Sequence, residues 1–327
     1  MRFVIDYRKL NDITIKDDYP MPNIRDLIDE VNGSKFFSCM DMPSAYWHVP
    51  MDEQSIAKTA FQVPQGKFEM LRMPYGMKNS QATQQRLMDQ TLEPVKNTRA
   101  YVDNTFTHSL EFNEHLELLK QTFRQLRKHN LSIRLDKCIF AQREVEQFGL
   151  LISDSGVSPA PENVSKIKGY PRPNNTKELR RFLGMTNYYR EFVPKYAELV
   201  EPLQELERKN TQFIWTDKRE EAFETIKEMI ATGCLLNFPD WNKPFTIELD
   251  GSKVAACGIL MQEEDNTKKV LGFHSSTLDP AQRNYSPTEL ECWAAISACR
   301  RFKNYIKGAP LLILRSDHEA LQWLRNQ

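Results

Sequence analysis

Three apolar runs in this chain each lead into an aspartate. FFSCM at 36–40 is followed by Asp41, Ala100-Tyr101-Val102 by Asp103, and FTIELD at 245–250 alternates Phe245, Ile247 and Leu249 against Thr246, Glu248 and Asp250. Runs this short and this apolar read as strands with at least one buried face. An aspartate at the end of each is a charge that leaves the core where the strand does. Between them lie stretches of helical period. Phe112, Leu116, Leu119, Phe123 and Leu126 mark a helix over 112–130, a second runs from about Lys177 to Phe192, and a third from Lys218 to Thr232 is stopped by Gly233. Strands and helices mixed in this way imply an α+β or α/β fold.

Further strands are expected at Phe3 to Tyr7 and as a pair around Leu131 to Ile133 and Glu146 to Ile152, closed by Asp154-Ser155-Gly156. The segment SPAPENVSKIKGYPRPNNT reads as a linker with one short helix, because Pro159, Pro161, Pro171 and Pro173 punctuate it. A new unit begins near Pro239, with strands at Phe245 to Leu249, Cys257 to Gln262 and Val270 to Ser275. A helix and a last strand at Leu311 to Leu314 follow, and the boundary between the halves falls within 235–243. Residues 286–289 (Ser-Pro-Thr-Glu) form a capping box in sequence, with Ser286 at the N-cap and Glu289 reaching back from the third helical position. Glu289 then has a structural role, which leaves Glu291 as the candidate for chemistry.

Composition narrows the class. With 327 residues there is room for two domains or several smaller lobes. No apolar run approaches the ~18–20 residues of a membrane-spanning helix, and the opening RFVIDYRKL lacks the apolar core of a secretory signal. No membrane partner and an intracellular setting, cytoplasm or nucleus, are expected. None of the six cysteines forms a CxxC pair. Cys292 and Cys299, in step with Ala295, Phe302 and Ile306, read as small buried hydrophobes. His108 and His115 have no cysteine neighbours to make a zinc site. The formal net charge is zero, yet Lys120 to Lys195 holds fifteen Lys/Arg against seven Asp/Glu, while Glu198 to Glu248 is acidic. The basic stretch suits a phosphate backbone or, equally, a solvated helical surface.

Two carboxylates brought together at strand ends can hold a pair of divalent cations for in-line phosphoryl transfer, and magnesium favours such oxygen ligands. An Asp-Asn pair such as Asp103-Asn104 is also a common hairpin turn. The order of the surrounding blocks decides which reading carries weight. RFVIDYRKLN at 2–11, MDMPSAYWHVPMD at 40–52, KTAFQVPQGKFEMLRMPYGMKNSQAT at 58–83, AYVDNTFTHS at 100–109 and RRFLGMTNYYREFV at 180–193 resemble the successive polymerase motifs of gypsy-class LTR-retrotransposon Pol polyproteins. The resemblance covers essentially the whole chain.

It implies a right-hand-like polymerase palm with partial fingers at 1–155, a thumb and connection at 156–238, and a truncated ribonuclease H-like domain at 239–327. Asp41 and Asp103 match metal-binding carboxylates, Tyr46 a steric gate against the ribose 2′ hydroxyl, Arg2 a residue that grips the triphosphate, and Tyr75-Gly76 the loop lining the nucleotide pocket. ELDGSKVAACGILMQ, the stretch through SPTELECWAAISACRRF, and LRSDHEALQWL are similar to the family's ribonuclease H. By that match Asp250, Glu291 and Asp317 carry metals, and His318 accompanies the last. Magnesium, with manganese as a substitute, RNA and DNA template-primer, and deoxynucleotide triphosphates are the implied cofactors and partners. Whether a dimer partner completes the fingers or the closing helix is left open.

Departures from the family pattern set up the alternatives. Asn104 stands where a second aspartate is usual, and MKNSQATQQ stands where NAPATFQ is typical. Gly251 replaces an alanine, while Ala255 and Cys257 replace glycines. The fingers strands before Arg2 and the closing helix after Gln327 are expected to be missing. An active enzyme, a decayed and polymerase-impaired fragment that still binds nucleic acid, and a non-enzymatic interaction protein are the three readings.

Overall fold

FFSCM and its aspartate form β1 (Phe36–Asp41), whose four central residues are buried. The computed structural model describes residues 4–209, 211–264 and 267–317. They belong to two units, Met1–Val145 and Glu146–Gln327. In the first unit the short hairpin β2 (Phe61–Val63) and β3 (Gly66–Phe68) stands apart from the main sheet, which adds β4 (Thr98–Tyr101), β5 (Asn104–Ser109) and β6 (Ile139–Gln142) in the order β4-β5-β1-β6. The antiparallel β1–β5 register runs from Phe36↔Ser109 to Asp41↔Asn104. Helix Phe112–Lys128 buries His115, Leu118, Leu119, Thr122 and Leu126. A helix that the apolar pattern did not signal, Ser80–Leu92, adds Met88 and Leu92 to a core with Met42, Ala45, Ala100, Leu126 and Leu131.

Two strand expectations are corrected. Residues 4–7 form no strand and lead into helix Arg8–Ile13, and Phe3 lies outside the described residues. The alternation there is used for packing instead, since Tyr7 is buried with its hydroxyl donating to the Thr59 carbonyl at 3.1 Å. Leu131 to Ile133 is not a strand either. Asn130 adopts a left-handed φ of 55°, and the Leu131 amide donates to the Leu126 carbonyl at 2.8 Å. That is a helix stop in which the apolar residue folds back onto the last turn.

Two of the four histidines of this unit, His108 and His115, are buried among serines. Ser34 Oγ lies 2.8 Å from His108 Nδ1. The His115 ring sits between Ser38 Oγ at 2.7 Å and Ser109 Oγ at 3.0 Å. Ser38 already accepts the Ala141 amide, and Ser109 donates to the Glu111 carbonyl. The consistent assignment is a neutral His115 that accepts from Ser38 and donates to Ser109. Burial pulls His108 down to about 4, with the charge of Arg99 adding to it, and burial also lowers His115. In the second unit burial and then Arg190 lower His274 to about 4. These rings stay neutral when folded but take up protons near the ordinary 6.5 when unfolded. Stability is therefore complete above pH 6.5 and declines as pH falls toward 4. The expected urea midpoint is lower at pH 5 than at pH 7; a midpoint flat across that interval would contradict this account.

The chain passes from one unit to the next within β7 (Glu144–Gln147), which joins β8 (Leu150–Ser153) and β9 (Gly156–Pro159) in a three-stranded sheet. The Asp154-Ser155 turn closes the β8–β9 hairpin. The proline-punctuated segment holds one helix, Pro161–Lys168, with proline in its first turn. Helices Thr176–Asn187, Tyr196–Gln204 and Asp217–Thr232 follow, and Phe182 and Phe223 meet at 4.6 Å between ring centroids. A mixed sheet comes next: β10 (Phe245–Gly251), β11 (Ala255–Glu264), β12 (Thr267–Thr277) and β13 (Leu312–Arg315), ordered β12-β11-β10-β13. β10 pairs antiparallel with β11 and parallel with β13. Helix Pro287–Arg301 opens on the expected capping box, with both reciprocal hydrogen bonds formed. It lays Ala298 against Phe245, Ile247, Leu249 and Leu260. All six cysteines are free; Cys292 and Cys299 are half-buried rather than fully inside.

Candidate active sites

In the first unit the sheet register does the assembling. Asp41 ends β1 directly opposite Asn104, the first residue of β5, while Tyr101 faces Asn104 from β4. The intervening turn is Val102-Asp103, and the Met42 amide donates to the Asp103 carbonyl at 3.0 Å. Asp41, Asp103 and Asn104 therefore share one end of the sheet, each half-buried. The Asn104 side-chain amide donates toward Asp103 Oδ1 at 3.4 Å. Among the described residues no ion pair engages Asp41. Two carboxylates in this position are a fitting donor set for a hard cation.

The turn is strained and braced. Val102, a β-branched residue, has φ 58°, a conformation such residues adopt only under constraint. The constraint is Gln85, fully buried on helix Ser80–Leu92. Its Oε1 accepts the Val102 amide at 2.8 Å, and its Nε2 donates to the Ala100 carbonyl at 2.9 Å and to Asp89 at 2.8 Å. Sequence reasoning passed over Gln85; the available signal was the final Gln of the NAPATFQ pattern. Its neighbour Gln84 is equally buried, yet neither its oxygen nor its nitrogen has a hydrogen-bond partner.

Tyr46 lies in the 3₁₀ turn Ala45–His48 that follows β1, after Ser44 at a left-handed φ of 52°. Its ring meets Tyr75 edge-on at 5.3 Å, with the half-exposed Trp47 6.3 Å from Tyr75. Gly76 has φ 88°, and its carbonyl accepts from Asn11 Nδ2 at 2.8 Å. Arg2 and His318 lie outside the described residues.

In the second unit the parallel register Glu248↔Arg315 brings Asp250 and Asp317 out at the same end of the sheet. Their surroundings differ from those of Asp41. Asp250 is ion-paired to Lys195. Glu291, 6 % exposed, accepts the Gly251 amide on Oε1 at 3.0 Å and the Ser316 hydroxyl on Oε2 at 3.0 Å. Gly251 is demanded by this closeness: a Cβ there would lie 2.9 Å from the Leu290 carbonyl carbon and oxygen and 3.1 Å from the Glu291 nitrogen. Among the described residues no group of three acidic, histidine or cysteine side chains is placed to hold a metal ion. Asp250, Glu291 and Asp317 as arranged do not fit one.

Residues 1–186 match the family model described as reverse transcriptase (RNA-dependent DNA polymerase), and residues 215–313 match that of the RNase H-like domain found in reverse transcriptase. The chain belongs to the reverse transcriptase family. Among relatives, it is 39% identical to the retrovirus-related Pol polyprotein from transposon 297 of Drosophila melanogaster, over 99% of this chain and 30% of that one. It is 35% identical to the transposon Tf2-7 polyprotein of Schizosaccharomyces pombe, over 98% of this chain and 24% of the relative. The chain thus spans less than a third of these Pol polyproteins. Among solved structures, the foamy viral protease-reverse transcriptase dRH in complex with double-stranded DNA superposes with a TM-score of 0.90 at 23% identity, covering all of this chain and 57% of that one. The same viral protein in complex with RNA/DNA hybrid gives 0.85 at 23% identity, over 99% and 44%. The fold is that of a reverse transcriptase: a right-hand-like polymerase palm and fingers, a thumb and connection, and a ribonuclease H-like mixed sheet. The two matched models are those of a nucleotidyltransferase and of a ribonuclease H-like domain. No helix among the described residues is long and apolar enough to cross a membrane.

Proposed function

We propose that this chain is the template-directed DNA polymerase segment of a retrotransposon Pol polyprotein, acting on RNA and DNA template-primers with deoxynucleotide triphosphates. The observation that carries this reading is the pairing of Asp41 with Asn104, which sets Asp41 beside Asp103 at one sheet end. Asp41 and Asp103 would hold magnesium or manganese, which supplies charge neutralisation for phosphoryl transfer when bound. The residues themselves position and select. Tyr46, in edge contact with Tyr75, would act as the gate against a ribose 2′ hydroxyl, Tyr75 and Gly76 would line the nucleotide pocket, and Arg2 would grip the triphosphate. Gln85 holds the carboxylate-bearing turn in place. We assign 1–155 to fingers and palm, 156–238 to thumb and connection, and 239–327 to the ribonuclease H-like domain.

The test is primer extension on an RNA template with magnesium or manganese. Extension by the native chain and its loss in Asp103→Ala is the expected result; extension that survives Asp103→Ala would overturn the assignment. Binding to template-primer should weaken steeply with added salt, because phosphate contacts release counterions. Salt-insensitive binding would favour the interaction-protein reading. A second reading, a polymerase-impaired chain that binds nucleic acid without efficient synthesis, is favoured by one feature: the Asn104 amide offers a donor to Asp103 where a second carboxylate would offer oxygen.

A further inference from the structure

The segment from Arg190 to Glu201 is tied to the ribonuclease H-like domain at six points. Arg190 donates to the Ser275 carbonyl, Glu191 pairs with Arg301, and Lys195 pairs with Asp250. The Ala197 amide donates to Ser275 Oγ at 2.9 Å, Ser252 Oγ donates to Glu198 at 2.6 Å, and Arg283 reaches Glu201 at 3.2 Å. Ala197 also packs against Ala255 and Cys257, the residues that stand where the family pattern has glycine. Lys195 takes a left-handed φ of 52° as helix Tyr196–Gln204 begins. A cleft of about 190 Å³ beside the pair is lined by Lys195, Asp250, Cys257, Phe273 and His274. The ammonium group of Lys195 borders this open space on the Asp250 side.

We propose that Lys195 is the resident cation of this carboxylate edge, and that the ribonuclease H-like domain therefore takes no divalent ion at Asp250 while the 190–201 strap is seated. A single ammonium answers the charge of Asp250. Glu291, with both oxygens engaged by Gly251 and Ser316, serves as a strut joining the end of β10, the start of helix Pro287–Arg301 and the end of β13. Only Asp250 and the exposed Asp317 then remain to offer oxygens. Two exposed carboxylates in competition with an attached lysine are a weak site for a hard cation, which needs several oxygens at once.

The experiment counts bound Mn²⁺ by electron paramagnetic resonance on the full chain at a fixed millimolar metal concentration, and so does not depend on polymerase activity. The native chain and Asp250→Asn should bind the same number of ions. Lys195→Met should bind one more, and that ion should be lost again in Lys195→Met combined with Asp250→Asn. Lys195→Asn, which suits the left-handed backbone, serves as the second variant should methionine disturb the strap. A native chain that loses one ion on Asp250→Asn, or folded Lys195 variants that gain none, would overturn the proposal. Loss of primer extension alone would bear on the polymerase reading and leave this count untouched.

Discussion

Asn104→Asp is expected to speed primer extension about 100-fold with magnesium or manganese. Asn104 sits opposite Asp41 and next to Asp103, so the new carboxylate enters a site that already holds two. An amide oxygen can ligate a cation but brings no charge, and a deficit of ~3 kcal/mol in the transition state corresponds to ~100-fold in rate. The substitution also removes the amide donor that now points at Asp103. A cost follows without metal, because three carboxylates at one sheet end repel one another. The variant should melt lower than the native chain in chelator and recover when manganese is added. An unchanged extension rate in a folded Asn104→Asp protein would mean that Asn104 is not near the reacting centre.

Adjacent glutamines on helix Ser80–Leu92 are expected to respond in opposite directions. Gln84→Leu should stabilise the first unit by about 2 kcal/mol, since a buried polar group without a partner costs ~1–3 kcal/mol. Gln84 occupies the same stripe as Met88 and Leu92, four and eight residues on, and both of these are buried in the core. Leucine there completes an apolar face of close to the same volume. Gln85→Leu should instead destabilise by about 2–4 kcal/mol. It strands the Val102 amide and the Ala100 carbonyl, both in buried residues. It also releases a turn whose left-handed valine is held there by that hydrogen bond. Primer extension should fall with Gln85→Leu and hold within about threefold with Gln84→Leu. Urea unfolding of the two variants checks the signs, and equal shifts in the same direction would refute the partner assignments.

The contrast between these residues also shows what the sequence made legible. Strand runs such as FTIELD and helix signals such as the 286–289 capping box were readable because burial alternates or caps locally there. Helix Ser80–Leu92 was not, because Gln84, Gln85 and Thr91 take buried positions and erase the apolar period. The carboxylates could be picked out as strand-end charges. Their partners could not, since Lys195 and Asp250 are distant in sequence and meet only through tertiary packing. In the sequence Gly251 was only a departure from the family's alanine, and the approach of Leu290 is what shows how little room a methyl group would have there. The apparent strand at Phe3 to Tyr7 failed for the converse reason: a short alternating run without a pairing partner can be satisfied by packing alone.

The parallel pairing of β10 with β13 has a consequence for how the second unit is made. β10, β11 and β12 follow one another closely in sequence, pair antiparallel and can zip in succession, but β13 follows β10 by about sixty residues, and such long-range closure is slow. Until β13 arrives, one edge of β10 is an open ladder of amides and carbonyls ready to pair with another chain. Proteolysis or premature termination ahead of Leu312 would leave that edge permanently unpaired, so the nascent or clipped second unit is the species most prone to self-association.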